Sequence, residues 1–241
     1  MKYLMLLAGK GTRLGNVGRY IPKCLLVYKN SNIISYHINI AKRFDKIIGV
    51  IGHKGNLIET MYPNITYYFN KDYEKTNMVK SFMCAKSEFD DDMIIAYGDI
   101  IYNKSILQEL VDIDDDFVVT VDINWKKYWK MRFDDINNDL ESLSLENGYI
   151  TELGNKNVKI DNIDARYVGL LKFTKKGLDI IKSIIGDDEK WNNAHMTDLL
   201  QHIIDSGYKV KAYEIDNQWI EFDTYKDRLN ANKVGDAMNV V

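Results

Sequence analysis

The stretch Leu7-Ala8-Gly9-Lys10-Gly11-Thr12-Arg13-Leu14-Gly15 closes a short apolar run that begins at Tyr3, and Pro22-Lys23-Cys24-Leu25-Leu26 follows soon after. Small residues let backbone N–H groups approach phosphate oxygens with no Cβ in the way, and Lys10, Arg13 and Lys23 supply compensating charge. A triphosphate fits such a loop. It is not a Walker A motif, because no Gly-Lys-Ser/Thr closes it, and not a dinucleotide fingerprint, because Leu14 stands where the third glycine is expected. The competing reading is a glycine-rich turn between strand and helix with solvated cations.

Outward from this loop, apolar strand-like runs at 46–51, 65–69, 93–97 and 117–123 alternate with helical spacing at Ile33, Ile34, His37, Ile38 and Ala41 and at Met78, Val79, Phe82 and Met83. That alternation predicts βαβ units, and continuous apolar strands predict a sheet covered on both faces. The pattern changes after Ile123. Two short strand-like pieces, 140–145 and 149–153, flank Asn147-Gly148, a hairpin signal. The segment from about 124 to 165 therefore reads as an insertion over the sheet. A strand at 166–173, helices at 175–185 and 195–206, a strand at 209–215 and a helix from Tyr225 complete the pattern. No repeat or linker divides the 241 residues, so a single domain is expected over 1–241.

Composition narrows the function. With 46% hydrophobic and 28% charged residues and two prolines the chain is ordinary globular material. Thirty-two Lys plus Arg against 35 Asp plus Glu leave a formal charge of −3, so no global positive field exists to bind nucleic acid. Cys24 and Cys84 are too few for a disulfide framework or a four-cysteine zinc site, as a reducing cytosol allows. The apolar start is too short for a signal peptide, and no run is long enough to span a membrane. A soluble, cytoplasmic protein without a membrane partner is expected; oligomeric state is not encoded in these features.

Two aspartates stand beyond apolar runs: Asp99 in Tyr97-Gly98-Asp99 and Asp223 in Glu221-Phe222-Asp223-Thr224. Carboxylates at strand ends lie where open α/β sheets bind ligands, and two such oxygens suit Mg²⁺, which completes its octahedron with phosphates and water. Alternatively, Asp99 turns a loop or caps the helix near Lys104, and Asp223 caps the last helix. Tyr73 to Ser81 is rich in side chains able to read a base edge, yet Thr76 and Asn77 are equally good helix caps. Gly52 and His53 border the same region or are simple loop residues.

Leu6 to Leu14 with Pro22-Lys23-x-Leu25 resembles the signature of nucleotidyltransferases that join an NTP to a phosphorylated acceptor, Leu7 replacing an alanine. The resemblance implies a Rossmann-like three-layer α/β/α sandwich with a mostly parallel mixed sheet and a small inserted acceptor-binding β region. It implies catalytic roles for Arg13 and Lys23 and nucleotide contacts from Leu7, Ala8, Gly9, Lys10, Gly11, Thr12, Gly52, Thr76, Asn77, Ser81 and Gly98. It also implies Mg²⁺ on Asp99 and Asp223.

Trp125, Trp129, Arg132, Glu141 and the Tyr167-Val168-Gly169-Leu170-Leu171 strand resemble the branch of phosphocholine, 2-aminoethylphosphonate and phosphoglutamine cytidylyltransferases, the last serving bacterial capsule phosphoramidate synthesis. On that resemblance the substrate is CTP, the aromatics cage an amine, Arg132 grips a phosphate and Glu141 holds an ammonium. The aromatics can equally well pack the insertion against the sheet. Arg166 stands where that branch has glutamine, and an added guanidinium suits an acceptor bearing a carboxylate, such as L-glutamine phosphate. Other acceptors (phosphocholine, a phosphonate, a sugar 1-phosphate) and a non-catalytic nucleotide-binding module are the alternatives.

Overall fold

The computed structural model describes residues 1–240. Its strands are β1 (Lys2–Leu7), β2 (Val27–Tyr28), β3 (Ser31–Asn32), β4 (Lys46–Ile51), β5 (Thr66–Phe69), β6 (Met93–Tyr97), β7 (Ile100–Tyr102), β8 (Phe117–Asp122), β9 (Leu143–Glu146), β10 (Tyr149–Leu153), β11 (Arg166–Phe173), β12 (Val210–Ile215) and β13 (Trp219–Glu221). Its α-helices are α1 (Asn16–Tyr20), α2 (Ile33–Ile40), α3 (Gly55–Met61), α4 (Met78–Cys84), α5 (Lys104–Asp112), α6 (Trp125–Arg132), α7 (Lys175–Ile185), α8 (Met196–Asp205) and α9 (Tyr225–Ala237).

One mixed sheet runs β5-β4-β1-β6-β11-β8-β12-β10-β9. Strands β5, β4, β1 and β6 pair parallel, as do β8 and β12, while β11 runs antiparallel between β6 and β8. Side chains alternate across it with the period of two that a pleated strand imposes. Tyr3, Met5 and Leu7 with Ile94 and Ala96 face a core shared with α2, α5, α6 and α9. Leu4 with Met93 and Ile95 faces the other core, shared with α4, α7 and α8. Both faces are covered, which is why β1 and β6 carry almost no polar residue.

Helix α7 shows the local logic: Leu178, Ile181 and Ile185 form one buried stripe, and the Thr174 hydroxyl caps its first turn by accepting from Gly177 N. The 143–153 hairpin forms where expected, its turn made by Asn147 and Gly148, both at positive φ. It does not lie over the sheet. Strand β10 pairs antiparallel with β12, so the hairpin continues the main sheet at its edge. A separate two-stranded ribbon, β7 with β13, spans the end of the sheet where β6 finishes, with Ile100 opposite Glu221.

Candidate active site

Strands β1 and β6 end side by side. Gly98 N donates to Leu6 O at 3.0 Å, and a Cβ on Gly98 would stand 2.4 Å from Leu7 Cδ2, so the chain leaving β6 can cross β1 only as glycine. Beyond Leu7 the loop turns through Gly11 at φ 62° and a 3-10 turn, Thr12–Leu14, into the short α1. Gly18 of α1 packs directly under this loop: a Cβ there would lie 2.1 Å from Gly11 O. His53 ties the same loop down, its backbone N–H donating to Ala8 O at 3.1 Å and its Nε2 donating to Gly18 O at 3.0 Å.

The result is a cleft of about 340 Å³. It is lined by Leu7, Ala8, Gly9, Lys10, Gly11, Thr12, Arg13, Lys23, Thr76, Asn77, Ser81, Gly98 and Asp99, all given site roles from the sequence, by Tyr73 and Met78 of the segment expected to face the base, and by Leu6, Cys24 and Tyr97, which were given no role. Gly52 is displaced from its expected place. It is buried behind Tyr73, whose Cβ would be 2.7 Å from a Cβ on Gly52, and so lets that ring approach the cleft instead of bordering it. Asn77 does cap α4, its side chain accepting from Met78 N, while the buried Asn70 donates to both Thr76 Oγ1 and Ser81 Oγ at 3.0 Å. Asn70 is the hidden organiser of this wall, and only its place at a strand end hints at it. Burial pushes the Cys24 thiol up to about 12, so it stays protonated and inert.

At the mouth of the cleft four charges converge. Lys23 Nζ donates to Asp99 Oδ2 at 2.7 Å and to Asp223 Oδ1 at 2.8 Å, and Arg13 Nη1 meets Asp223 Oδ2 at 2.8 Å. Burial alone would lower the Lys23 pKa, but the two carboxylates outweigh it and raise it. The ribbon sets the spacing of the aspartates, since Phe222 N donates to Asp99 O at 2.8 Å. Neither aspartate is a helix cap: α5 begins after Asn103, and α9 is capped by the Thr224 side chain accepting from Asp227 N. Because one ammonium reaches both carboxylates, one cation can too. No group of three or more His, Cys, Asp or Glu residues suited to a metal occurs among the described residues, so the pair fits a hard cation that takes few protein oxygens and leaves the rest of its shell to phosphate and water.

The expected acceptor residues divide sharply. Trp125 and Trp129 are 1% and 0% exposed, stacked edge to face in the core under the sheet, and Trp129 Nε1 is spent on Asn138 O. They do not form an open aromatic cage, and the packing alternative describes them. Arg132 does not face a substrate phosphate either. Its Nε and Nη2 hold the two oxygens of Asp227 at 2.9 Å, and its Nη1 lies on Glu221. Arg166 differs. Its guanidinium stacks 4.2 Å from the Trp129 ring centroid and reaches Asp139 at 3.4 Å, yet its buried Nη1 has no hydrogen-bond partner among the described residues. Glu141 is partly exposed and close enough to Tyr97 and Tyr167 to add a small upward push to phenolic pKa values that burial raises first. Those two tyrosines are joined by a 3.1 Å hydrogen bond that Tyr167 donates, and Tyr97 carries the aromatic surface on this side of the cleft.

Residues 3–129 match the MobA-like NTP transferase domain. Over 94% of its length the chain is 35% identical to the CTP:phosphoglutamine cytidylyltransferase of Campylobacter jejuni subsp. jejuni serotype O:2, covering 97% of that protein. Two solved structures share the fold. The inositol-1-phosphate CTP transferase from T. maritima superimposes with a TM-score of 0.77 at 18% identity, covering 100% of this chain and 97% of that one. The CTP:phosphocholine cytidylyltransferase from Streptococcus pneumoniae does so with a TM-score of 0.74 at 16% identity, covering 97% and 98%. The Rossmann-like α/β/α sandwich expected from the sequence is the fold of all three.

Proposed function

The chain belongs to the MobA-like NTP transferases, and from that membership we propose that it is a cytidylyltransferase that moves CMP from CTP to L-glutamine phosphate, releasing pyrophosphate and forming CDP-L-glutamine. The observation that carries the transfer reading is the meeting of Lys23, Arg13, Asp99 and Asp223 at the mouth of the glycine-loop cleft. The choice of CTP and of acceptor draws on the relative at 35% identity. For the acceptor it draws also on Arg166, a buried cation with an N–H still to be satisfied.

In this reading the backbone N–H groups of residues 8–12 receive the triphosphate, with Lys10 and Arg13 at its edge. Asp99 and Asp223 would hold Mg²⁺, which when bound neutralises phosphoryl charge. Lys23 stabilises the charge that grows on the α-phosphoryl group as an acceptor phosphoryl oxygen attacks in line. A phosphate with a second pKa of about 6 is largely dianionic at neutral pH, so the acceptor needs no general base. None is asked of His53, which is committed to the loop backbone. Arg166 offers its free Nη1 to the acceptor carboxylate, and Glu141 takes the ammonium. Residues 124–165 thus supply Glu141 and the start of β11 supplies Arg166 to one acceptor pocket within the same domain, and the product would serve capsule phosphoramidate synthesis.

The test is pyrophosphate release with Mg²⁺ for four NTPs crossed with L-glutamine phosphate, phosphocholine, 2-aminoethylphosphonate and glucose 1-phosphate. Turnover confined to CTP with L-glutamine phosphate is expected, and Arg166→Gln should raise KM for that acceptor roughly 10-fold or more while sparing KM for CTP. Turnover with another acceptor would keep the transfer chemistry and discard the carboxylate assignment. Nucleotide binding without turnover in any pair would favour the non-catalytic module.

A further inference from the structure

Arg132 ends α6 and is 4% exposed. Its fork grips Asp227, the third residue of α9, and one oxygen of that carboxylate does much more than cap a helix. Asp227 Oδ2 accepts from Asp223 N at 3.2 Å, from Thr224 N at 2.8 Å and from Thr224 Oγ1 at 2.9 Å, as well as from Arg132 Nη2. The turn that carries Asp223 between β13 and α9 is therefore gathered on a single oxygen whose direction is set by an arginine.

The molecule contains its own control for this arrangement. Helix α8 begins with the same reciprocal cap, Asp198 Oδ2 accepting from His195 N at 2.7 Å, but Asp198 is exposed and has no cation on it among the described residues. A capping box holds its helix there without an arginine. At α9 the chain instead buries a charged pair, at a desolvation cost that a cap does not require. What a two-pronged guanidinium adds is a fixed carboxylate plane. A fixed plane matters where Asp223, four residues before Asp227, must deliver its own carboxylate to within 2.8 Å of both Lys23 and Arg13.

We propose that Arg132 is a positioning residue for nucleotidyl transfer: by fixing Asp227 it fixes the backbone of Asp223, and with it the carboxylate at the mouth of the cleft. The proposal rests on the transfer reading given above. It also explains why an arginine in the acceptor-side segment carries no substrate group. Its role is to tie α6 to the turn that bears Asp223.

The test compares Arg132→Lys, which keeps a cation but loses the fork, with Val234→Ala, which loosens the buried face of α9 two turns beyond Asp227 without removing any hydrogen bond of the fork. Three quantities are read: melting temperature, hydrogen exchange at the amides of Asp223 and Thr224, and kcat beside KM for CTP. For Arg132→Lys the expectation is exchange faster by roughly 10-fold or more at those two amides, and kcat lower by roughly 10- to 100-fold with KM for CTP within about twofold. Val234→Ala, with a comparable fall in melting temperature, keeps the wild-type exchange and kcat. Wild-type exchange at 223 and 224 in a folded Arg132→Lys overturns the proposal, and so does an equal loss of kcat in Val234→Ala. Asp227→Asn repeats the comparison from the other side of the pair and decides it if Arg132→Lys does not fold. Should the wild-type protein show no turnover with any nucleotide and acceptor, the transfer reading fails, and with it a role for Arg132 in transfer.

Discussion

Lys23 is the residue on which the site turns, because among the described residues it alone contacts both carboxylates. Removing it as Lys23→Ala leaves Asp99 and Asp223 facing each other with Arg13 on only one of them. We expect kcat to fall roughly 30- to 10³-fold, about 2–4 kcal/mol of transition-state stabilisation, with KM for CTP nearly unchanged, because the loop that receives the triphosphate is intact. Mg²⁺ should also raise the melting temperature of Lys23→Ala more than that of the wild-type protein, since a divalent cation can replace the lost charge. A loss confined to KM, with an ordinary Mg²⁺ response, would reduce Lys23 to a ground-state contact. This half of the site was legible in the sequence because its chemistry is local: small residues, a cation and a strand end sit within a few positions of one another. The acceptor half was not. Whether Arg132 meets a substrate or a core carboxylate depends on Glu221 and Asp227, 89 and 95 positions further on. Trp125 and Trp129 likewise look the same in sequence whether their rings face solvent or the core.

At the scale of elements, α1 decides whether the glycine loop can keep its shape. It is a five-residue helix with no apolar stripe, held against the loop by contact at Gly18. Gly18→Ala puts a methyl group 2.1 Å from Gly11 O, backbone against side chain, so the loop must move. We expect a stability loss of about 1–3 kcal/mol, the usual range for overpacking, together with CTP affinity weaker by roughly 10-fold or more. Calorimetric titration with CTP and thermal melting would measure both, and unchanged affinity would mean that α1 does not brace the loop. The strands and long helices were readable from their periodicity, and Asn147-Gly148 announced its hairpin. The pairing of that hairpin was not readable, because β12, which receives it, lies far along the chain and nothing in 140–153 names its partner. The β7–β13 ribbon escaped for the same reason: three-residue strands carry too little pattern to be seen before the fold brings them together.

Over the whole molecule, one buried histidine links the sheet, a helix and the ribbon. His37 on α2 is fully buried, with Nε2 at 2.9 Å from Ile100 O and Nδ1 at 2.6 Å from the Tyr3 hydroxyl. A carbonyl can only accept, so Nε2 carries the proton and Nδ1 accepts from Tyr3, whose oxygen in turn accepts from Tyr102. Burial holds the ring neutral and pushes its pKa down from 6.5 to about 4. The unfolded chain therefore binds a proton near pH 6.5 that the folded chain refuses until about pH 4, and stability fully present above pH 6.5 is lost across that interval. Glu88 adds to the loss lower down. Burial would raise its pKa, but Lys2, Lys46 and Tyr68 outweigh it and bring it to about 2, so its contribution, intact above about 4.5, fades as the pH drops towards 2. The free energy of urea unfolding should thus decline from pH 6.5 with a slope approaching about 1.4 kcal/mol per pH unit, steepening below pH 4.5. His37→Gln should start from a lower stability at pH 7 and lose the upper part of that slope while keeping the lower part. A wild-type curve that stays flat between pH 7 and 5 would mean that the folded ring takes up its proton at the same pH as the unfolded chain. The protonated ring must donate from both nitrogens, so Nδ1 would donate to the Tyr3 hydroxyl, which would turn to donate to Tyr102, while Nε2 keeps its bond to Ile100 O.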